Sequence, residues 1–99
     1  MITRDGIVDI IREAYRQFVP PGVEPGEVDE NTSLLGSGSP LDSVGLVSLV
    51  VEVEQNLNDR CNTAITIADE RAMSQKRSPF RTVGNLADYA LMLLAERAA

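Results

Sequence analysis

Apolar residues that recur every three or four positions constrain the fold of this chain more than any other feature. This helical spacing dominates over the alternation expected of strands. The first such stretch predicts a helix over residues 3–19, capped by Thr3 or Asp5 and ended by Pro20 and Pro21. Its buried face is expected to consist of Ile7, Val8, Ile11, Tyr15 and Phe18. The pattern predicts an all-helical bundle.

The second stretch begins where a loop leads into a helix. Pro40 and the glycines and serines before it favour turns, so residues 36–42 are predicted to form a loop. From Val44 onward the helical spacing returns and predicts a helix to about Leu57. Its apolar stripe is expected to consist of Leu46, Val47, Leu49, Val50, Val53 and Leu57. Ser43 therefore caps or opens this helix.

Two interpretations compete for Asp42 and Ser43. Aspartate and serine are among the commonest N-cap residues, so either side chain can bond the backbone donors that a first turn leaves unpaired. The alternative is that the Ser43 hydroxyl is an attachment point for a phosphate ester. A helix N-terminus stabilises such a group because it offers free N–H groups and a partial positive charge.

Four runs of residues around and beyond Ser43 decide between these interpretations. They are Leu34-Leu35-Gly36, Leu41-Asp42-Ser43-Val44, residues 46–54 and residues 82–89. Together they resemble the acyl carrier proteins and their peptidyl carrier relatives, over most of the chain. The family's motif is Asp-Ser-Leu, and Val44 departs from it while keeping an apolar residue at that position.

The resemblance implies that Ser43 carries a 4'-phosphopantetheine arm, with Asp42 and Val44 completing the motif around it. It implies an all-α, four-helix bundle of the acyl carrier type, with a long first loop and a short third helix, formed by residues 1–99 as one domain. The partners would be a phosphopantetheinyl transferase, which uses coenzyme A and Mg²⁺, and the acyl-loading and acyl-processing enzymes of lipid or secondary metabolism. The protein itself would not be an enzyme. We expect a free-standing monomer.

The acidic net charge of the chain limits the classes of partner that it can bind. Fifteen acidic and nine basic residues give a net charge of -6, which argues against nucleic acid because its phosphates would be repelled. Partners are therefore expected to carry basic patches. No apolar run is long enough to cross a bilayer, and the first residues lack the layout of a signal peptide, so we expect a cytoplasmic protein.

The absence of histidine excludes most catalytic sites. Without imidazole the chain lacks the usual base for a serine or cysteine nucleophile and the commonest nitrogen ligand for metals. Glu52 and Glu54 are two residues apart and do not share a helical face, so we expect both to be solvated. The single cysteine, Cys61, rules out an intramolecular disulfide and is either a surface thiol or a small core residue.

The structure of the remaining segments is predicted from their composition and from helix-capping residues. Residues 20–31 and 58–63 are predicted to be loops, and residues 32–35 a turn that holds Leu34 and Leu35 to the core. Thr66 and Asp69 fit a capping pattern for a short helix over residues 67–75. The last helix is expected to start at Thr82 and to bury Val83, Leu86, Ala90, Leu93 and Leu94.

Several alternatives remain open at this point. The basic segment from Lys76 to Arg81 is a solvated linker, a docking contact or a partner of the acidic first loop. Gly45 weakens a helix interior. Either it leaves room for the prosthetic arm or for the surface of a partner, or it is an unfavourable residue that is tolerated near the end of the helix.

The function itself also has alternatives. An aminoacyl or peptidyl carrier, or an unmodified helical adaptor that binds through its second helix, competes with the acyl carrier. If an acyl cargo is buried between helices, its groove is expected to be formed by Leu46, Val50, Val53, Ile65 and Ile67, which would otherwise be plain core.

Overall fold

The computed structural model describes residues 2–19, 22, 26–34, 41–67 and 80–98 of the 99-residue chain, apart from the side chains of Ser43 and Ala98. These residues form three α-helices, which are α1 (Arg4–Phe18), α2 (Ser43–Cys61) and α3 (Val83–Ala98). The described part contains no strand, only an isolated bridge between Ser33 and Thr82. The all-helical class is thus confirmed.

Helix α1 begins and ends within one residue of its predicted bounds. Thr3 is the N-cap, and its Oγ1 accepts a hydrogen bond from the Gly6 N–H (3.2 Å). The helix ends because Val19 turns to an extended conformation before the two prolines, its N–H still bonded to the Tyr15 carbonyl. The buried face is wider than predicted, since it also includes Ile10 and Ala14, while Val8 and Phe18 are only half-buried.

Helix α2 runs to Cys61, four residues beyond the predicted end at Leu57, so the loop predicted over residues 58–63 is wrong for its first four residues. The helix stops at Asn62, which adopts the left-handed conformation (φ 49°). The N–H groups of Asn62 and Thr63 both donate to the Asn58 carbonyl, a combination typical of a helix C-terminus. The polar residues before it belong to the last turn, where polarity signals exposure rather than a loop.

The start of α3 is tied to the end of the first loop. Thr82 Oγ1 accepts from the Asn85 N–H (3.1 Å), so Thr82 caps the helix, which begins at Val83, one residue after the predicted start. The Leu34 N–H donates to the Arg81 carbonyl (2.9 Å) and the Val83 N–H to the Thr32 carbonyl (3.0 Å). These bonds hold the fully buried Leu34 in the core, as the sequence predicted.

Helix α1 packs against both α2 and α3, and the core forms between the three helices. Val28 of the first loop is also buried, which anchors that loop to the bundle. The five residues expected to be buried on α3 are confirmed, and they are Val83, Leu86, Ala90, Leu93 and Leu94. Among the described helices, none is both long enough and apolar enough to span a membrane.

Some predictions fall outside the described residues. They are the conformation of residues 35–40, the short helix over residues 67–75 beyond Ile67, and the basic segment up to residue 79. At the edges of these segments, Leu41, Ile67 and Phe80 are buried and Arg81 is exposed. A fourth helix is therefore not part of the fold as described.

A surface arginine joins the first helix to the last. Arg4 Nε donates to Asp88 Oδ1 (2.6 Å), and Arg4 Nη1 donates to Glu30 Oε2 (2.8 Å). The hydrogen bond to Asp88, and then the one to Glu30, raise the pKa of Arg4 further above its usual value. Close by, the Gly84 N–H donates to the Glu30 carbonyl (2.8 Å), so the first loop, α1 and α3 meet at Glu30.

Tyr15, at the centre of the core face of α1, gives the protein a pH dependence in alkali. In the folded protein, burial raises the pKa of its phenol. In the unfolded chain the same phenol titrates near pH 10. Above that pH the unfolded state loses the proton first, so stability falls as pH rises. We expect the free energy of unfolding to fall less between about pH 8 and about pH 10.5 in Tyr15→Phe than in the wild type. Urea denaturation at the two pH values measures this, and parallel losses in both proteins would contradict it.

Candidate attachment site at the start of α2

Asp42 is the N-cap of α2, and Ser43 is the first helical residue. Asp42 has an extended backbone (φ -86°, ψ -177°), and its Oδ1 accepts a hydrogen bond from the Gly45 N–H (2.7 Å). Its carbonyl accepts the first intrahelical bond, from the Leu46 N–H (2.9 Å). Of the two roles left open by the sequence, Ser43 opens the helix and Asp42 performs the capping. The Ser43 side chain lies outside the described part.

The start of α2 is held against the end of α1. Leu41, directly before the cap, is buried in the core. A Cβ atom added to Gly45 would lie 3.2 Å from Asp42 Oδ1, 3.5 Å from Leu41 Cδ2 and 3.7 Å from the Phe18 carbonyl oxygen. Only the contact with the cap, Asp42 Oδ1, is tighter than an ordinary van der Waals contact, so the close approach that favours glycine at position 45 comes from the chain's own cap.

One side of α2 presents valines to solvent. Val44 is 74% exposed, Val47 60% and Val51 41%. Placing Val47 in the buried stripe is therefore wrong. At 3.6 residues per turn, position 47 lies nearly opposite the fully buried Leu49, so both cannot face α1. Apolar residues lie on two faces of this helix, and only one of these faces is buried.

The residues predicted for an acyl groove lie on the opposite face of α2 and in the segment that follows the helix. Val50, Val53, Ile65 and Ile67 are buried at 0–5% exposure, and Leu46 is half-buried against them. In this structure these five side chains are part of the core.

Two polar side chains of α2 fix the segment that follows the helix. Asn58 Oδ1 accepts from the Ile65 N–H (2.8 Å), and Asn58 Nδ2 donates to the Ile65 carbonyl (3.1 Å). Glu54 Oε1 accepts from the Ile67 N–H (2.8 Å). The prediction that Glu54 is solvated is therefore wrong, since it is half-buried, and Glu52 is half-buried too. The i, i+4 spacing of residues 54 and 58, which places both on one helical face, is the signal that could have found this pair.

No protein-family model matches the chain, and no significant match is found among curated proteins or solved structures. The family resemblance of the sequence therefore depends on the motif residues themselves.

The described residues and the composition limit the groups available for chemistry at the start of α2. No group of three or more His, Cys, Asp or Glu residues that could hold a metal occurs within the described ranges. The chain has no histidine to activate Ser43. Activation of the Ser43 hydroxyl by an imidazole of these 99 residues is therefore excluded.

Cys61 is far from this site. It is half-buried as the last residue of α2, in an open cleft of about 710 Å³ with Ile2, Leu94, Arg60 and Arg97. It lies eighteen positions after Ser43 on the same helix, a distance of about 27 Å at a rise of 1.5 Å per residue. The thiol is therefore unconnected with the start of α2, and its setting is intermediate between the two expected from the sequence.

Proposed function

We propose that this protein is an acyl carrier protein whose 4'-phosphopantetheine arm is attached to Ser43. The observation that carries the proposal is the position of Ser43, the first residue of a 19-residue helix that is capped by its neighbour Asp42. The proposal includes a single four-helix carrier domain with its short third helix in residues 67–75. It also includes a cytoplasmic, monomeric protein.

The described residues around position 43 fit an attached phosphodiester. A helix of this length has a partial positive charge at its N-terminus, which stabilises a nearby anion by about 0.3–1 kcal/mol. Asp42 already satisfies the Gly45 N–H, so the helix does not need the serine as a cap. Asp42 and Val44, on either side, are both exposed, so a modifying enzyme can approach the backbone here.

In this proposal the chain's residues position the serine and leave bond formation to partners. The transferase would have to remove the hydroxyl proton, since the chain offers no imidazole. The phosphorus–oxygen bond to Ser43 would form as the adenosine bisphosphate part of coenzyme A leaves. When bound, the arm supplies a terminal thiol that holds an acyl group as a thioester. Acyl-loading and acyl-processing enzymes would then be the further partners.

A buried cargo would have to separate α2 from the segment that follows it. Burial of an acyl chain is favourable by about 0.8 kcal/mol per CH₂, so a medium chain offsets several kcal/mol of opening cost. The groove would form between Val50 and Val53 on one side and Ile65 and Ile67 on the other, with Leu46 at its entrance. Such an opening must break the hydrogen bonds between Asn58 and Ile65 and between the Ile67 N–H and Glu54, or move both partners together.

One measurement tests the assignment. The purified protein is incubated with coenzyme A, Mg²⁺ and a broad-specificity phosphopantetheinyl transferase, and its intact mass is determined. We expect the mass to increase by one phosphopantetheine group, with no increase when coenzyme A or the transferase is omitted. An unchanged mass would contradict the proposal and favour an unmodified helical adaptor. Which acids a loading enzyme then transfers to the arm separates an acyl carrier from an aminoacyl or peptidyl carrier.

A further inference from the structure

The cleft that contains Cys61 lies at the opposite end of α2 from Ser43, where the last turns of α2 and α3 meet. Its volume of about 710 Å³ is within the range of small-molecule sites. Ile2, Cys61 and Leu94 are the apolar residues of its described lining, and Arg60 and Arg97 are the charged ones. A small molecule that has both an apolar part and a charged part matches such a lining.

The charged residues of this lining are all positive. No aspartate or glutamate is among the described residues of the cleft, although the chain has fifteen acidic residues and a net charge of -6. The three arginines of α1 all form ion pairs with carboxylates, whereas neither Arg60 nor Arg97 has a carboxylate partner within the described ranges. Arg97 Nη2 donates to the Ala64 carbonyl (3.4 Å), which leaves its other donors available to a ligand.

The helix dipoles account for only part of this arrangement. Arg60 and Arg97 each lie in the last turn of a helix, where a cation offsets a partial negative charge of about half a unit. Two full positive charges therefore leave an excess of positive charge at the cleft. Arg16, in the last turn of α1, shows the contrast, because it pairs with Glu13 (3.6 Å). The two cleft arginines are thus free to bind an anion from outside the described part of the chain.

We propose that this cleft binds a small organic carboxylate with an apolar body. The carboxylate accepts hydrogen bonds from Arg60 and Arg97, whose planar guanidinium groups match its geometry. The apolar body covers Ile2, Cys61 and Leu94 and removes their exposed apolar atoms from water. Because both parts contribute, neither a small anion without an apolar body nor a neutral apolar molecule binds as well. The inference is independent of the proposed function, since the cleft is remote from Ser43.

Cys61 reports occupancy of the cleft, because it lines the cleft and is the only cysteine of the chain. The purified protein is alkylated with iodoacetamide, and the peptide that contains Cys61 is followed by mass spectrometry. The probes are phenylbutyrate, its neutral amide and acetate. We expect phenylbutyrate at about 10 mM to slow alkylation at least about threefold, which corresponds to a Kd of about 5 mM or less. The amide and acetate should leave the rate nearly unchanged.

Two double variants test the role of the arginines. Arg60→Gln/Arg97→Gln should lose the protection by phenylbutyrate. Arg16→Gln/Arg81→Gln removes the same charge from exposed positions outside the cleft and should keep it. Without any added ligand, the ratio of the alkylation rates with anionic iodoacetate and neutral iodoacetamide should fall about threefold in the cleft variant only. This ratio does not depend on the reactivity of the thiol itself, because a change in that reactivity affects both reagents alike.

Three results would overturn the inference. Phenylbutyrate that leaves the wild-type rate unchanged would show that the cleft does not bind it. Equal protection by the amide would show an apolar cleft that does not recognise charge. Loss of protection in both double variants would show an effect of net charge rather than of the cleft arginines. Each of these results leaves the proposed function standing, because none of the measurements involves Ser43.

Discussion

Ser43→Ala is expected to take up no phosphopantetheine while it keeps the wild-type fold. The substitution removes the only atom at position 43 that can form the phosphate ester. It should cost less than about 1 kcal/mol of stability, because the N-cap hydrogen bond is made by Asp42 rather than by the serine. Intact mass after incubation with coenzyme A and the transferase measures uptake. Urea denaturation of the same sample measures the fold.

Ser48→Ala is the matched control for this prediction. It removes a hydroxyl from the same helix, five residues further on, and should take up the arm as the wild type does. Uptake by Ser43→Ala would contradict the assignment, because another serine would then be the attachment site. A loss of stability by several kcal/mol in Ser43→Ala would show instead that the serine holds the helix start together.

The helices that the sequence predicted well are those whose ends are set by local chemistry. The start of α1 depends on Thr3 and its end on the two prolines that follow Val19, and the start of α3 depends on the Thr82 cap. Each of these capping residues and prolines affects the backbone only within a few positions along the chain. They can therefore be read without knowledge of the rest of the fold.

The end of α2 could not be read in this way. Asn58 looks like a loop residue, yet its side chain bonds both backbone groups of Ile65, seven residues further on. Glu54 likewise accepts from Ile67, thirteen residues away. Such bonds stabilise a polar last turn of a helix only once the following segment has folded back, which composition does not reveal.

The valines of α2 show the limit of apolar spacing as evidence for burial. Val47 and Val50 are both apolar and three residues apart, but only Val50 faces the core. The pattern gives the type of element, whereas burial also depends on which side faces α1.

At the candidate site, the sequence predicted that a helix starts near Ser43. The structure adds that Asp42 is the cap and that Gly45 is packed against it.

The second large effect is expected at Gly84, the second residue of α3. A Cβ atom there would lie 2.9 Å from the Glu30 carbonyl oxygen and 3.2 Å from Arg4 Nη2. Because the nearest atom is backbone, Gly84→Ala must push the first loop away. It would thereby strain the hydrogen bond from the Gly84 N–H to that same oxygen, together with the Arg4–Glu30 ion pair. We expect a loss of about 1–3 kcal/mol of stability, as for other overpacked sites.

Gly6→Ala is the matched control, because its Cβ atom would also lie 2.9 Å from a neighbour. That neighbour is Cγ1 of Ile2, an atom of a half-buried side chain before α1 rather than of the backbone. Alanine also gains up to about 1 kcal/mol of helix propensity over glycine, which offsets the shift of Ile2, so Gly6→Ala should lose much less stability than Gly84→Ala. Urea denaturation of both variants should separate them by about 2 kcal/mol or more. Equal stabilities would mean that the first loop yields to α3 as easily as a side chain does, and that its contact at Glu30 does not hold the bundle together.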